Sequence, residues 1–303
     1  MKNTTILKSI SSYIYGTTRL GDEQIPFEER VHVACAAMNA GVWFHTSRQY
    51  NNALELLSAA FDKDRTQVPK LIAKIGGNSI EALVADIGRN LEPVGLTSLD
   101  VGQLCIGGDL AQDFAAGGNS LKELEGIRES GLVKSYILEV FPWTSQIAIR
   151  ALIGGNAKGL IDAFILYLNP LQRFATNELW DLLIEQKQPI IALRTVAGGP
   201  VHRLRDVPGA AWKEYLQKRA VEVAPIFERS GINNWTEFCV RFAHSIPNVL
   251  ATVGASGNIS HLNEFLAAER HCQPLPQEII QNIFALHRRW SDECDIHAEP
   301  WTM

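Results

Sequence analysis

Apolar and polar positions along the chain follow two alternating rhythms. Short runs rich in β-branched residues, such as LIAKI, AFILYL and PIIAL, are separated by longer stretches whose apolar residues recur every three or four positions. The short runs predict eight strands, at 13–17, 42–46, 70–75, 101–106, 135–141, 163–168, 189–193 and 249–253. Their near-continuous apolarity suits parallel strands covered on both faces. The longer stretches predict helices at 28–39, 51–61, 79–91, 120–130 and 177–186; in the first of these Val31, Ala34, Cys35 and Met38 share one face. Asn119 or Ser120, ahead of KELE, is the expected N-cap of the fourth helix, and Gly131 its stop. Eight strand–helix alternations in 303 residues predict an α/β fold, a closed (β/α)8 TIM barrel rather than an open doubly wound sheet. The chain reads as one barrel domain over 1–303. About 269–303 forms a C-terminal helical extension, with its helix at 279–289. The segment 198–216, rich in Arg, Gly and Pro, reads as a long connection after the seventh strand.

Composition narrows the partners. A formal net charge of −5 without a basic stripe argues against nucleic acid. No apolar run approaches the length of a membrane span, and the N-terminal MKNTTILKSISSY lacks the apolar core of a signal peptide. Five scattered cysteines, without metal spacing, read as reduced thiols of a cytoplasmic protein, and no metal site is expected. No GxGxxG follows the first strand and no Walker A loop is present, so neither Rossmann nor P-loop chemistry is supported.

Barrel active sites gather at the C-terminal ends of the strands. That rule singles out Gly16, Thr17 and Thr18, His45 to Ser47, Lys74, Gly107 and Gly108, 139–143, Asn169, Arg194 and 254–258. Lys74 lies in an otherwise apolar strand, where an unpaired ammonium is costly, and so points to an open pocket or a partner. Glu139 is either a new acid–base group or that partner. His45 is either a base near neutrality or a hydrogen-bonded barrel histidine. Arg48, Arg194, Arg203 and Arg205 either bind an anion or are solvated. Trp143 is a candidate pocket wall, and Trp43 a core residue. Gly254, Ser256 and Asn258 form a small polar turn before a helix, a candidate anion site.

Several of these segments, taken in order, resemble the aldo-keto reductases. YGTTRLG (15–21) is similar to their first-strand GTxxLG element. AGVWFHTSRQY (40–50) is similar to the second-strand segment that ends in the catalytic tyrosine, placing Tyr50 there. KLIAKIG (70–76) is similar to the strand that supplies the catalytic lysine, Lys74. LYLNPLQR (166–173) and FCVRFAHSIPNVLATVGAS (238–256) resemble the sixth-strand element and the late helix with the eighth strand. The resemblance implies NADPH as cofactor and a small-molecule carbonyl substrate, an aldehyde, ketone or sugar derivative. Hydride would pass to the carbonyl carbon and a proton from Tyr50 to its oxygen, with Lys74 favouring the tyrosinate. Gly16, Thr17, Asn169, Arg194, Gly254, Ser256 and Asn258 would contact the cofactor.

The chain departs from that pattern around the nicotinamide. His45 stands at the position of the family's aspartate, and Gly108, or Gly107, at that of the strand-four histidine. Glu139-Val140 replaces a Ser-Asn pair, Ile165 a glutamine and Leu193 a stacking aromatic. Three functions follow: a divergent reductase acting through Tyr50 and Lys74; a non-redox lyase, dehydratase or epimerase using His45, Tyr50, Lys74 or Glu139; or a non-catalytic binding protein.

Overall fold

The computed structural model describes residues 6–197, 213–270 and 272–297. Among the described residues nine strands form: β1 Tyr13–Gly16, β2 Trp43–Thr46, β3 Leu71–Gly77, β4 Val101–Ile106, β5 Tyr136–Glu139, β6 Ile161–Asn169, β7 Gln172–Arg173, β8 Ile190–Leu193 and β9 Val249–Ala255. All but β7 pair in parallel, in the order β5-β4-β3-β2-β1-β9-β8-β6, and a β5–β6 pairing closes the ring. β7 is a two-residue antiparallel return against β6. The eight expected strands are therefore the eight staves of a (β/α)8 barrel. Among the described residues no helix is long and apolar enough to cross a membrane.

The expected helices are present with edges shifted by a few residues, as Phe27–Asn39, Ala53–Lys63, Ile80–Leu91, Asn119–Glu129 and Asn177–Glu185, and the C-terminal helix runs well past its expected end at 289, as Gln277–His297. Ser79 caps the third by accepting from the Ala82 N–H. The fourth is capped differently from expectation. Neither Asn119 nor Ser120 caps it with its side chain; the Asp113 carboxylate of the preceding helix, Gly108–Ala116, accepts from the Ser120 N–H at 2.8 Å. Gly131 adopts φ +81° just past the C-terminus, the left-handed stop its sequence position predicts. Arg203 and Arg205 lie outside the described residues.

Strand alternation divides the apolar residues into two bodies. Tyr15, Phe44, Ala73, Leu104 and Leu138 belong to the core between sheet and helices. Ile14, Trp43, Ile72, Val101, Ile137 and Ile191 belong to a second cluster inside the barrel, which Leu7 of the N-terminal 3-10 turn joins. Trp43, as expected, is core, and its indole N–H donates to the Ser9 carbonyl.

Candidate active site

Further along several of the same strands, the same parity brings polar side chains inside the barrel: His45 two residues after Trp43, Lys74 after Ile72, Gln103 and then Cys105 after Val101, Glu139 after Ile137, and Tyr167 after Ile165, another member of the inner cluster. An apolar floor thus passes into a polar upper layer at the C-terminal ends of the strands.

Lys74 Nζ donates to Glu139 Oε1 at 2.6 Å, across β3, β4 and β5. The Lys74 side chain is 17% exposed and that of Glu139 6%. Burial alone would lower the Lys74 pKa, but Glu139 first, then Tyr50, Cys105 and Tyr167, raise it above the ordinary lysine value. The ammonium is therefore charged and counter-balanced. Cys105 Sγ donates to Glu139 Oε2 at 2.6 Å. Burial and then Glu139 raise the thiol pKa well above its usual value, so the group is a thiol.

His45 is 1% exposed, and its Nε2 lies 2.6 Å from Gln103 Oε1. Burial first, and then the Lys74 charge, lower its pKa to about 3. It is neutral near pH 7, and the reading of it as a base titrating near neutrality gives way to that of a hydrogen-bonded barrel histidine.

Tyr50 follows β2, with its ring centroid 6.3 Å from that of His45. A Cβ on Gly21 would sit 2.3 Å from the Tyr50 carbonyl oxygen, so only glycine allows the first loop to approach this closely. Asn90, on the helix after β3, ties the same loop to the lysine strand: its Oδ1 accepts from the Arg48 N–H and its Nδ2 donates to the Lys74 carbonyl. Arg48 itself pairs with Asp86, which also accepts from the Gly76 N–H at 3.0 Å. Burial raises the Tyr50 pKa, and this outweighs the lowering by Lys74 and Thr18. The expected easing of tyrosinate formation by Lys74 is present but does not win, and Tyr50 is a protonated phenol at neutral pH.

One expectation for β4 is corrected. Neither Gly107 nor Gly108 is the strand-four residue facing the site. β4 ends at Ile106, and Gly108 opens the next helix at φ +54°. The residue facing the Lys74–Glu139 pair is Cys105. Gln103, Cys105 and Tyr167 were missed, although their even spacing from Val101 and Ile165 within single strands carried the signal.

The residues expected at the cofactor separate into two groups. On one side Gly16 pairs with Ala255, and Thr17 donates to the Thr46 hydroxyl at 2.7 Å. Ser256 Oγ donates to the Asn258 carbonyl and accepts from the Asn258 N–H, and Asn258 Oδ1 accepts from the Ser260 N–H. A groove of about 430 Å³ opens here, lined by Gly257, Asn258 and Ile259 and, from the helix after β1, Glu28, Glu29, His32 and Val33. On the other side Asn169 Nδ2 donates to Gln172 Oε1 and the Arg194 carbonyl, while its Oδ1 accepts from the Leu171 N–H. Its side-chain polar atoms are thus engaged by the β6–β7 turn and by the carbonyl that follows β8. Arg194 adopts φ +54° and lies over the Tyr167 ring, 5.5 Å from its centroid. Phe141 stacks on Trp143, which is 51% exposed.

Solved structures place this architecture. The chain superposes on an aldo/keto reductase from Klebsiella pneumoniae, solved in complex with NADP and acetate, with a TM-score of 0.67 over 92% of each chain at 17% identity. It matches an aldo-keto reductase from Bacillus halodurans, in its holo form, with a TM-score of 0.67 at 19% identity, over 92% of this chain and 95% of that one. A thermostable aldo-keto reductase in complex with the inhibitor epalrestat matches with a TM-score of 0.66 at 16% identity, over 91% and 95%. This chain has the aldo-keto reductase fold. No sequence-family model matches it, and no curated protein matches it by sequence. The barrel fold is therefore common to these chains at low sequence identity.

Proposed function

We propose that the protein is an oxidoreductase of the aldo-keto reductase type that reduces an aldehyde, ketone or sugar-derived carbonyl with NADPH, using Tyr50 as proton donor and Lys74 as the adjacent cation. The observation that carries this reading is the Lys74–Glu139 ion pair at 2.6 Å, buried inside the barrel with Tyr50 close enough to feel both charges. Burying an ammonium and a carboxylate costs several kcal/mol per ion before their attraction repays it. A phenol beside such a pair suits proton transfer better than passive binding.

The chain's own groups divide the work. Tyr50, protonated at neutral pH, donates at the substrate oxygen. Lys74 stabilises the phenolate left behind, and Glu139 supplies the negative charge that His45 cannot. Neutral His45 leaves one ring nitrogen as an acceptor. NADPH, when bound, supplies the hydride; NADP is present in the Klebsiella pneumoniae aldo/keto reductase of the same fold. The groove at the ends of β1 and β9 is roomy enough for part of a nucleotide, and Ser256, Asn258 and the first turn of the helix Ile259–Arg270 would hold it. Glu28 and Glu29 line the same groove and oppose a phosphate there.

A second reading, a lyase, dehydratase or epimerase without nucleotide, draws support from Asn169, whose side-chain atoms are all engaged within the protein. Titration with NADPH, NADP and NADH, followed by tryptophan fluorescence and thermal shift, and a screen of carbonyl substrates with and without NADPH, separate the readings. The reductase reading expects binding that raises the melting temperature, by mass action, and turnover that needs NADPH. No binding at millimolar concentration would sink it. Turnover without nucleotide selects the second reading, and binding without any turnover selects a binding protein.

A further inference from the structure

Five side chains from four strands form one continuous hydrogen-bonded chain across the barrel: His45 (β2), Gln103 and Cys105 (β4), Glu139 (β5) and Lys74 (β3). Its polarity follows from elementary donor and acceptor counts. The Lys74 ammonium can only donate, so Glu139 accepts at Oε1. Glu139 has no proton to offer Cys105, so the thiol donates to Oε2 at 2.6 Å. The sulfur lone pairs then face the Gln103 amide nitrogen at 3.9 Å. That orientation turns Gln103 Oε1 to His45, whose Nε2 carries the proton. Cys105 is the one link in this chain between the neutral half, His45 and Gln103, and the charged half, Glu139 and Lys74.

We propose that Cys105 is a positioning residue, whose thiol holds the Glu139 carboxylate so that its other oxygen stays on Lys74. Glu139 reaches Lys74 across β4, the strand between them, and no backbone N–H among the described residues donates to its carboxylate. Its two oxygens are held by one ammonium and one thiol. Removing the thiol leaves Oε2 without a donor in a side chain only 6% exposed. A carboxylate in that position must turn, admit water or take up a proton, and each of these loosens it from Lys74. The thiol is unusual for a cysteine here because it is used as a donor rather than as a nucleophile.

Infrared difference spectroscopy on the full chain tests this without any substrate, and so independently of the reductase reading on which only the kinetic arm rests. The Cys105 S–H band is identified by its loss in Cys105→Ala, and the Glu139 carboxylate band by its loss in Glu139→Gln. The expected result is an S–H band moved to low frequency by its acceptor and relaxed upward in Glu139→Gln. The carboxylate band should shift in Cys105→Ala and return in Cys105→Ser, whose hydroxyl can donate in the same place. Melting curves confirm that each variant is folded, and if Cys105→Ala does not fold, Cys105→Ser and Glu139→Gln carry the test through the S–H and carboxylate bands. A carboxylate band identical in wild type and Cys105→Ala, or an S–H band unaffected by Glu139→Gln, overturns the proposal. In the kinetic arm, Cys105→Ala lowers kcat about tenfold with KM nearly unchanged, and Cys105→Ser restores it, as expected for loss of an interaction made through Lys74 rather than to substrate. A raised KM with unchanged kcat would place Cys105 against the substrate and also overturn it. Absence of any carbonyl turnover counts against the reductase reading alone, since the infrared bands still decide the role of Cys105.

Discussion

Tyr50 and His45 are both aromatic, both next to Lys74, and set in opposite ways by burial. Desolvation penalises whichever form is charged: it raises the phenol and lowers the imidazole. Tyr50 is thereby kept protonated, and on the proposed reductase reading Tyr50→Phe is expected to keep the fold and nucleotide affinity while lowering turnover by roughly 10²–10⁴-fold, the usual cost of losing a placed general acid; steady-state kinetics beside a nucleotide titration read both. For His45 the consequence is acid sensitivity. Its folded pKa of about 3 lies below the unfolded value of 6.5, so the unfolded chain binds a proton first. The stability from neutral burial is fully present above pH 6.5 and is lost as pH falls from there toward 3. His287, buried and lowered by desolvation and then by Arg173 and Arg219, acts with the same sign. Urea unfolding at pH 7.5 and pH 5 should therefore show a marked loss in the wild type and a smaller one in His45→Gln. An unchanged slope would mean that His45 is charged in the folded protein.

Among the elements, the contact of the helix Ile259–Arg270 with β1 and β9 leaves no spare volume. Phe265 stacks on Tyr13 with centroids 5.1 Å apart, and a Cβ on Gly254 would stand 2.3 Å from the Phe265 ring. Gly254→Ala should cost about 1–3 kcal/mol through overpacking, read by chemical denaturation, and Phe265→Leu in the same chain should recover part of it. Gly254 thus has a packing duty whether or not a cofactor lies beyond it. The same helix faces the start of Phe27–Asn39, and their shared groove carries Glu28 and Glu29. Removing that charge in a Glu28→Gln/Glu29→Gln variant should tighten NADPH several-fold while changing NADH less, because only NADPH adds a phosphate to the ribose; a titration showing equal effects would remove the groove from the phosphate's path.

For the whole molecule, the C-terminal helix Gln277–His297 is part of the barrel's outer wall. Ile279, Ile280, Ile283 and Trp290 are buried in the described structure. Arg288 pairs with Asp181, Trp290 Nε1 donates to Glu222, and His287 Nε2 donates to the Pro170 carbonyl at 3.1 Å, beside the β6–β7 turn. A chain ending at 276 should expose this apolar face and lose several kcal/mol, at ~25 cal/mol per Å² of apolar surface uncovered. Circular dichroism melting would show a lowered midpoint, and an unchanged one would make the helix an appendage.

Local pattern alone determined the barrel. Strand rhythm, helix rhythm and the stop at Gly131 depend on neighbours a few residues apart, and each holds in the structure with edges moved by a few residues. It also singled out Lys74, because a lysine in LIAKI is too costly to bury without a partner. Several features depended on which strands lie side by side. That Glu139, 65 positions away, answers Lys74 rather than His45 follows from the β3-β4-β5 order. That Cys105 rather than a glycine faces the pair follows from where β4 ends. The cap of the helix Asn119–Glu129 came from Asp113 on its neighbour, and the protonation of His45 and Tyr50 from the depth at which closure of the barrel buries them. Burial and partnership are properties of the closed ring, since desolvation and Coulomb terms act through space between groups that the chain holds far apart until its ends meet.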